Sequence, residues 1–135
     1  LCCAVASGAP VEHAFATSNA FGLPAIIVST MQKVVGAKGL LDLGSKMEAL
    51  SFAKGNLYRN IKIPLLVING DNDTLIGTED SIELNKKVPA SFLKLYENDD
   101  HCAMGHYHEW LDLTFAWLKL QFDKPEATSV IMMKQ

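Results

Sequence analysis

Two apolar runs in this chain end at residues suited to acid–base chemistry. Residues 64–68 lead into an Asp-rich turn that holds Asp71 and Asp73, and residues 92–96 lead to His101. A histidine that takes a proton from a nucleophile needs a carboxylate on its other ring nitrogen, to fix the tautomer and to stabilise the imidazolium that forms. An aspartate after one strand and a histidine after the next meet that need. Asp73 is the candidate partner of His101, and Asp71 is its main competitor, otherwise expected to fix the loop by hydrogen bonds. An Asp-Asn-Asp-Thr turn also arises for a plainer reason, because Asx side chains stabilise turns.

The elements that must position these residues read as alternating strands and helices. Residues 1–6 form a short apolar run stopped by Ser7, Gly8 and Pro10, which suits an interior strand of a parallel sheet. From Pro24, Ile27, Met31, Val34 and Val35 fall on one face of a helix that ends at Gly36. A weaker helical pattern spans 40–50 through Leu40, Leu43, Met47 and Leu50, interrupted by Gly44, which costs about 1 kcal/mol relative to Ala. After the aromatic and basic connector at Tyr58 and Arg59 come the acid strand, a helix and the histidine strand. Thr78 is placed to cap that helix, with Glu79 and Asp80 at its positive end, Lys86 and Lys87 at its negative end, and Glu83 paired with Lys87. Beyond His101, Tyr107, Trp110, Leu111, Leu118 and Phe122 repeat at helical spacing, which predicts a mostly buried closing helix. The tail ATSVIMMKQ carries too little pattern to assign.

Strands alternating with helices predict an α/β fold with a parallel sheet. In such sheets the chemistry collects beyond the carboxyl ends of the strands, so Asp71, Asp73 and His101 are expected on one edge. The loop after the first strand brings His13 to the same edge, as a candidate substrate contact or a structural residue.

Composition narrows the function classes. A chain of 135 residues with 49% hydrophobic and 20% charged residues fits one globular domain. A net charge of -3 with scattered Lys and Arg gives no basic footprint for nucleic acid. No apolar run approaches the roughly 20 residues that span a bilayer. Three cysteines, two of them the adjacent Cys2 and Cys3, do not make a disulfide framework and point to a reducing, cytoplasmic setting. The opening LCCAVASGAP has neither a Met nor the features of a signal peptide and reads as the middle of a buried strand, so an N-terminal part of the folding unit is expected to precede it.

The phrase PLLVINGDNDTLIGTEDS resembles the strand and acid loop of α/β-hydrolases, where a glycine ends the strand and the catalytic Asp follows three residues later; here that is Asp73. NDDHCAMGHYHEWLDLTFAWL resembles the histidine loop and closing helix of a subgroup in which the catalytic His is followed directly by Cys. That subgroup includes fungal polyketide-shortening pigment hydrolases, the hydrolase acting on dihydroxypseudooxynicotine, and esterases of the fermentation-respiration switch type. AVASGAPVEHAF is similar to their strand after the nucleophile helix.

The resemblance implies the C-terminal part of an α/β-hydrolase fold, with parallel strands and flanking helices. On this reading residues 20–60 are a helical lid or connecting region. Residues 61–123 hold the acid strand, its helix, the histidine strand and the closing helix. Asp73 and His101 become the second and third members of a Ser-His-Asp triad, in the chain order of α/β-hydrolases. The implied reaction is hydrolysis of a small carbonyl substrate, either an ester or a carbon–carbon bond beside a ketone, with no metal and no organic cofactor. No G-x-S-x-G elbow occurs between Leu1 and Gln135. Ser7 lacks the first glycine of the elbow and a following helix, so the nucleophile and its elbow are expected outside this chain, on a missing N-terminal segment or a companion chain.

Other readings compete. An inactive hydrolase fragment can persist by pairing through its open sheet edge. A small doubly wound binding domain ranks last, because no G-x-G-x-x-G loop is present. His101, Cys102, His106 and His108 are zinc-type ligands, but His106 and His108 are two apart and face different sides of a helix. Cys102 reads instead as a small buried apolar residue.

Overall fold

The computed structural model describes residues 1–20 and 22–123, so the tail ATSVIMMKQ lies outside the described residues. Three parallel strands, β1 (Ala4–Ser7), β2 (Leu65–Gly70) and β3 (Ser91–Tyr96), lie in the order β1-β2-β3. Ala4 pairs with Leu65 and Ser7 with Ile68; Leu65 pairs with Ser91 and Gly70 with Tyr96. Every residue of the central strand β2 is buried, as expected for a strand covered on both faces and both edges.

Side-chain alternation along β2 divides the core. Leu66 and Ile68 face the closing helix α5 (Tyr107–Phe122) and pack with Cys3, Tyr96 and Trp117. Leu65 and Val67 face the other way, onto Val11, Tyr58 and two residues contributed by the α4 region, Leu84 and Val88. Helix α4 (Thr78–Lys87) is the crossover between β2 and β3. A third cluster, Phe15, Leu43 and Met47 with Val28, Met31 and Val35 against it, belongs to the longer crossover between β1 and β2. That crossover holds α1 (Thr17–Ala20), α2 (Ala25–Val35) and α3 (Leu40–Glu48).

Helix α2 stops where its sequence says it should, with Gly36 left-handed at φ 64. Three details differ from expectation. On α2 it is Val28 that turns inward while Val34 is 73% exposed, because the face seen by Phe15 and Leu43 is narrower than the apolar stripe. Gly44 does not interrupt α3; it is buried within the helix. The closing helix is not mostly buried: Trp117 is its one buried residue, and Phe115, Leu120 and Phe122 are 64–65% exposed. Three strands offer α5 one contact face, so apolar side chains outside that face stay uncovered. The outer edge of β1 also pairs with no strand among the described residues.

Candidate active site

Asp73 and His101 meet beyond the carboxyl ends of β2 and β3. His101 Nδ1 lies 2.9 Å from Asp73 Oδ2, although 27 residues separate the two in sequence. Adjacent parallel strands in register make this possible, since Gly70 and Tyr96 are paired and each loop leaves from the same level. The loops touch so closely that a Cβ on Gly70 would meet the Asp99 carbonyl oxygen at 2.1 Å. No side chain other than hydrogen fits there.

The Asp73 carboxylate is enclosed, with a side-chain exposure of 0%. Its Oδ1 accepts the Leu75 and Ile76 N–H groups at 2.9 and 3.0 Å, and its Oδ2 accepts the Asn69 amide at 2.8 Å in addition to His101. Burial alone pushes its pKa up. The Ile76 N–H, His101, Asn69 and the Leu75 N–H outweigh that and hold the carboxyl at about 2. A carboxylate with this many donors stays ionised across the physiological range.

Asn69, fully buried near the end of β2, ties the two loops together. Its amide nitrogen also lies 3.2 Å from Ser81 Oγ, and its oxygen accepts the N–H groups of Gly70 and Cys102. Thr78 does not cap α4, whose N-cap position is Gly77 without a side-chain bond. Its hydroxyl instead donates to the Gly70 carbonyl and accepts the Asp73 N–H, because the acid loop folds back over the helix start. Asp71 accepts the Asn98 N–H at 2.8 Å and so fixes the loop rather than the imidazole.

The histidine turn, a 3-10 segment His101–His106, is built from left-handed residues at Cys102 and Ala103. Asp100 braces its start by accepting the His101 and Thr74 N–H groups. Asp99 braces its end, with one carboxylate accepting from the main chain of Asp100, Gly105 and His106 and lying 2.7 Å from His106 Nδ1. His106 also stacks on Tyr96, ring centroids 4.9 Å apart. His106 is thereby committed to Asp99. Among the described residues no group of three or more His, Cys, Asp or Glu is placed to hold a metal ion. Cys102 is half-buried rather than buried, with its thiol 3.7 Å from the Ser7 carbonyl oxygen. Ser7 Oγ is buried without a hydrogen-bond partner and makes no bond to His101.

His13 does reach this edge. It lines a cavity of about 580 Å³ together with Asp73, Thr74, Ile76, Leu23 and Glu79. What holds His13 there is Asp80, a fully buried carboxylate that accepts four consecutive main-chain N–H groups, from Val11, Glu12, His13 and Ala14. Asn69 has no place in the sequence reading, and Asp80 enters it only as an acidic residue at the start of the helix; the structure makes both buried hubs. Both carried a signal: Asp80 shares a helix face with Leu84, and Asn69 interrupts an otherwise apolar strand, so each is a polar group in a buried position that must find partners.

No family model and no curated protein matches the chain. Among solved structures, AbyA5 superposes with a TM-score of 0.76 at 19% identity, over 90% of this chain and 36% of its own. The Pyrococcus furiosus esterase Pf2001 gives 0.57 at 21% identity, over 90% of this chain and 45% of the esterase. A thermophilic esterase gives 0.55 at 21%, over 89% and 57%. The chain thus spans between about a third and just over half of these proteins. Among the described residues no helix is long and apolar enough to cross a membrane. At these identities the likeness is one of fold: the chain has a partial α/β fold, a three-stranded parallel open sheet flanked by helices, which corresponds to part of an α/β-hydrolase core.

Proposed function

We propose that this chain supplies the acid and the base of a cytoplasmic serine hydrolase, with the nucleophile on an N-terminal segment or companion chain. The contact between His101 Nδ1 and Asp73 Oδ2 at 2.9 Å carries the reading. With Nδ1–H held by a buried carboxylate, Nε2 is the free base, and it makes no hydrogen bond among the described residues. It accepts the serine proton as the hydroxyl attacks a carbonyl carbon, and returns that proton to the leaving group. Asp73 stays ionised throughout and stabilises the intervening imidazolium. The substrate is an ester, or a ketone whose adjacent carbon–carbon bond is cleaved. It enters the cavity lined by His13, which the lid or connecting region reaches through Gly22 and Leu23. The likeness in fold to two esterases supports the ester.

The test applies if the gene encodes a G-x-S-x-G elbow upstream of Leu1, and it uses that longer protein. The longer protein is expected to hydrolyse a simple aryl ester, with His101→Ala and Asp73→Asn each lowering kcat/KM by about 10⁴. Equal rates in the parent and both variants would refute the assignment.

One observation favours a second reading, an inactive fragment that works by pairing with another protein. The exposed Phe115, Leu120 and Phe122 on α5, with the open edge of β1, leave surface a partner would cover. Native mass measurement combined with an aryl-ester assay separates the two: a companion chain in a complex without esterase activity supports the fragment reading, and one in an active complex supports the hydrolase.

A further inference from the structure

We propose that a second cavity, at the opposite end of the sheet from Asp73 and His101, binds a small organic carboxylate. It measures about 620 Å³, within the few-hundred to 1,000 Å³ range typical of small-molecule sites. Its walls come from the residues that precede β2 and β3, among them Arg59, Lys62 and Ala90. Six residues of strand at about 3.3 Å each set it roughly 20 Å from the acid and histidine loops.

The lining is divided in character. Tyr58, Ile61, Pro89 and Ala90 form an apolar wall, and Arg59 and Lys62 bring two positive charges. Arg59 is the one arginine in the chain. Among the described residues neither it nor Lys62 makes a hydrogen bond or an ion pair, and neither has an interaction beyond those described. Lys87, in the same wall, differs: it is bonded to Glu12 and Glu83 and sits over the Tyr58 ring at 4.9 Å. Lys87 is therefore spent, and it braces the wall instead of meeting a ligand.

Two cations without an acidic partner line one cavity in a chain of net charge -3, which favours an anionic ligand there. A planar guanidinium pairs with a carboxylate through two parallel N–H···O bonds, and a nearby ammonium adds a point charge. The apolar wall then selects an anion with a hydrocarbon or aromatic body over a bare inorganic one. Nothing in this site depends on the hydrolase reading.

The experiment is an NMR titration of the 135-residue chain with benzoate, with neutral benzamide and inorganic phosphate as comparison arms. Saturable shifts at Arg59, Lys62 and Ala90 are expected with benzoate, with no shift at Asp73 or His101. Affinity is expected to fall at least about tenfold for benzamide and for phosphate, and by a similar factor for benzoate in the doubly substituted Arg59→Gln, Lys62→Gln chain. Both side chains are exposed, so the substitutions leave the core intact. Absence of saturation, equal binding of benzamide or phosphate, or an unchanged affinity in the double variant would each overturn the proposal.

Discussion

Replacing Asp73 with Asn tests the centre of the site without removing volume. The carboxyl sits at about 2 in the folded chain against an ordinary value of 3.8. Each unit of difference is about 1.4 kcal/mol, so ionised Asp73 contributes about 2 kcal/mol to stability at neutral pH. The group is only 8% exposed, so solvent screening removes little of this. The folded value is the depressed one, so the contribution is complete above about pH 5. It is lost as pH falls through 4 towards 2, where the folded-state carboxyl also takes up its proton. Asparagine adds a cost that does not titrate. With Oδ1 kept on the Leu75 and Ile76 N–H groups, the new NH2 faces the Asn69 amide, donor against donor, for about 1–3 kcal/mol. The expected gap between parent and variant in urea unfolding is therefore about 3–5 kcal/mol at pH 7, narrowing steadily between pH 4 and pH 3. The same NH2 also faces His101 Nδ1, so the imidazole proton is expected to move to Nε2, visible in its nitrogen spectrum. A gap that stays constant from pH 7 to pH 3 would refute the account of Asp73 as a buried, hydrogen-bonded carboxylate.

Two further substitutions probe how the site is held. Asp80→Ala strips four main-chain N–H groups of their shared acceptor and is expected to cost about 3 kcal/mol or more in urea unfolding, with faster amide exchange at Val11 and Ala14; native-like protection there would contradict its anchoring role. Gly8 sits at φ +54, and a Cβ on it would come within 2.7 Å of both Cys102 Sγ and His101 Cε1. Gly8→Ala is expected to push the imidazole off Asp73, read as loss of the low-field Nδ1 proton signal; an unaltered signal would show that the turn can yield without cost.

The order of elements was legible because it rests on local pattern. The apolar runs 64–68 and 92–96 could be seen as strands, although only β2 is buried throughout and Phe92 on β3 is exposed, and Pro24 and Gly36 bracket their helix through backbone geometry that a few residues determine. Asp73 and His101 could be placed at one edge because parallel strands leave their loops on the same side. The closing helix is less buried than its pattern predicts for a related reason. Its periodicity reports which positions are apolar, and says nothing about how many neighbours are present to cover Phe115, Leu120 and Phe122.

What the amino-acid sequence determined by itself was an alternation of strands and helices with an acid and a histidine at adjacent strand ends. The sequence offers Asp73 for the imidazole, with Asp71 as its competitor or as a brace of the loop; the tertiary structure decides the contacts each aspartate makes, with Asp73 on the imidazole, Asp71 on the Asn98 N–H, and, unforeseen, Asp99 on the His106 ring and Asp80 on the loop that carries His13. Four like carboxylates acquire four partners because each partner lies 7 to 67 residues away along the chain. Local propensity treats every Asp near a turn or helix start alike; the packing of β2, β3 and α4 decides which donors each one meets.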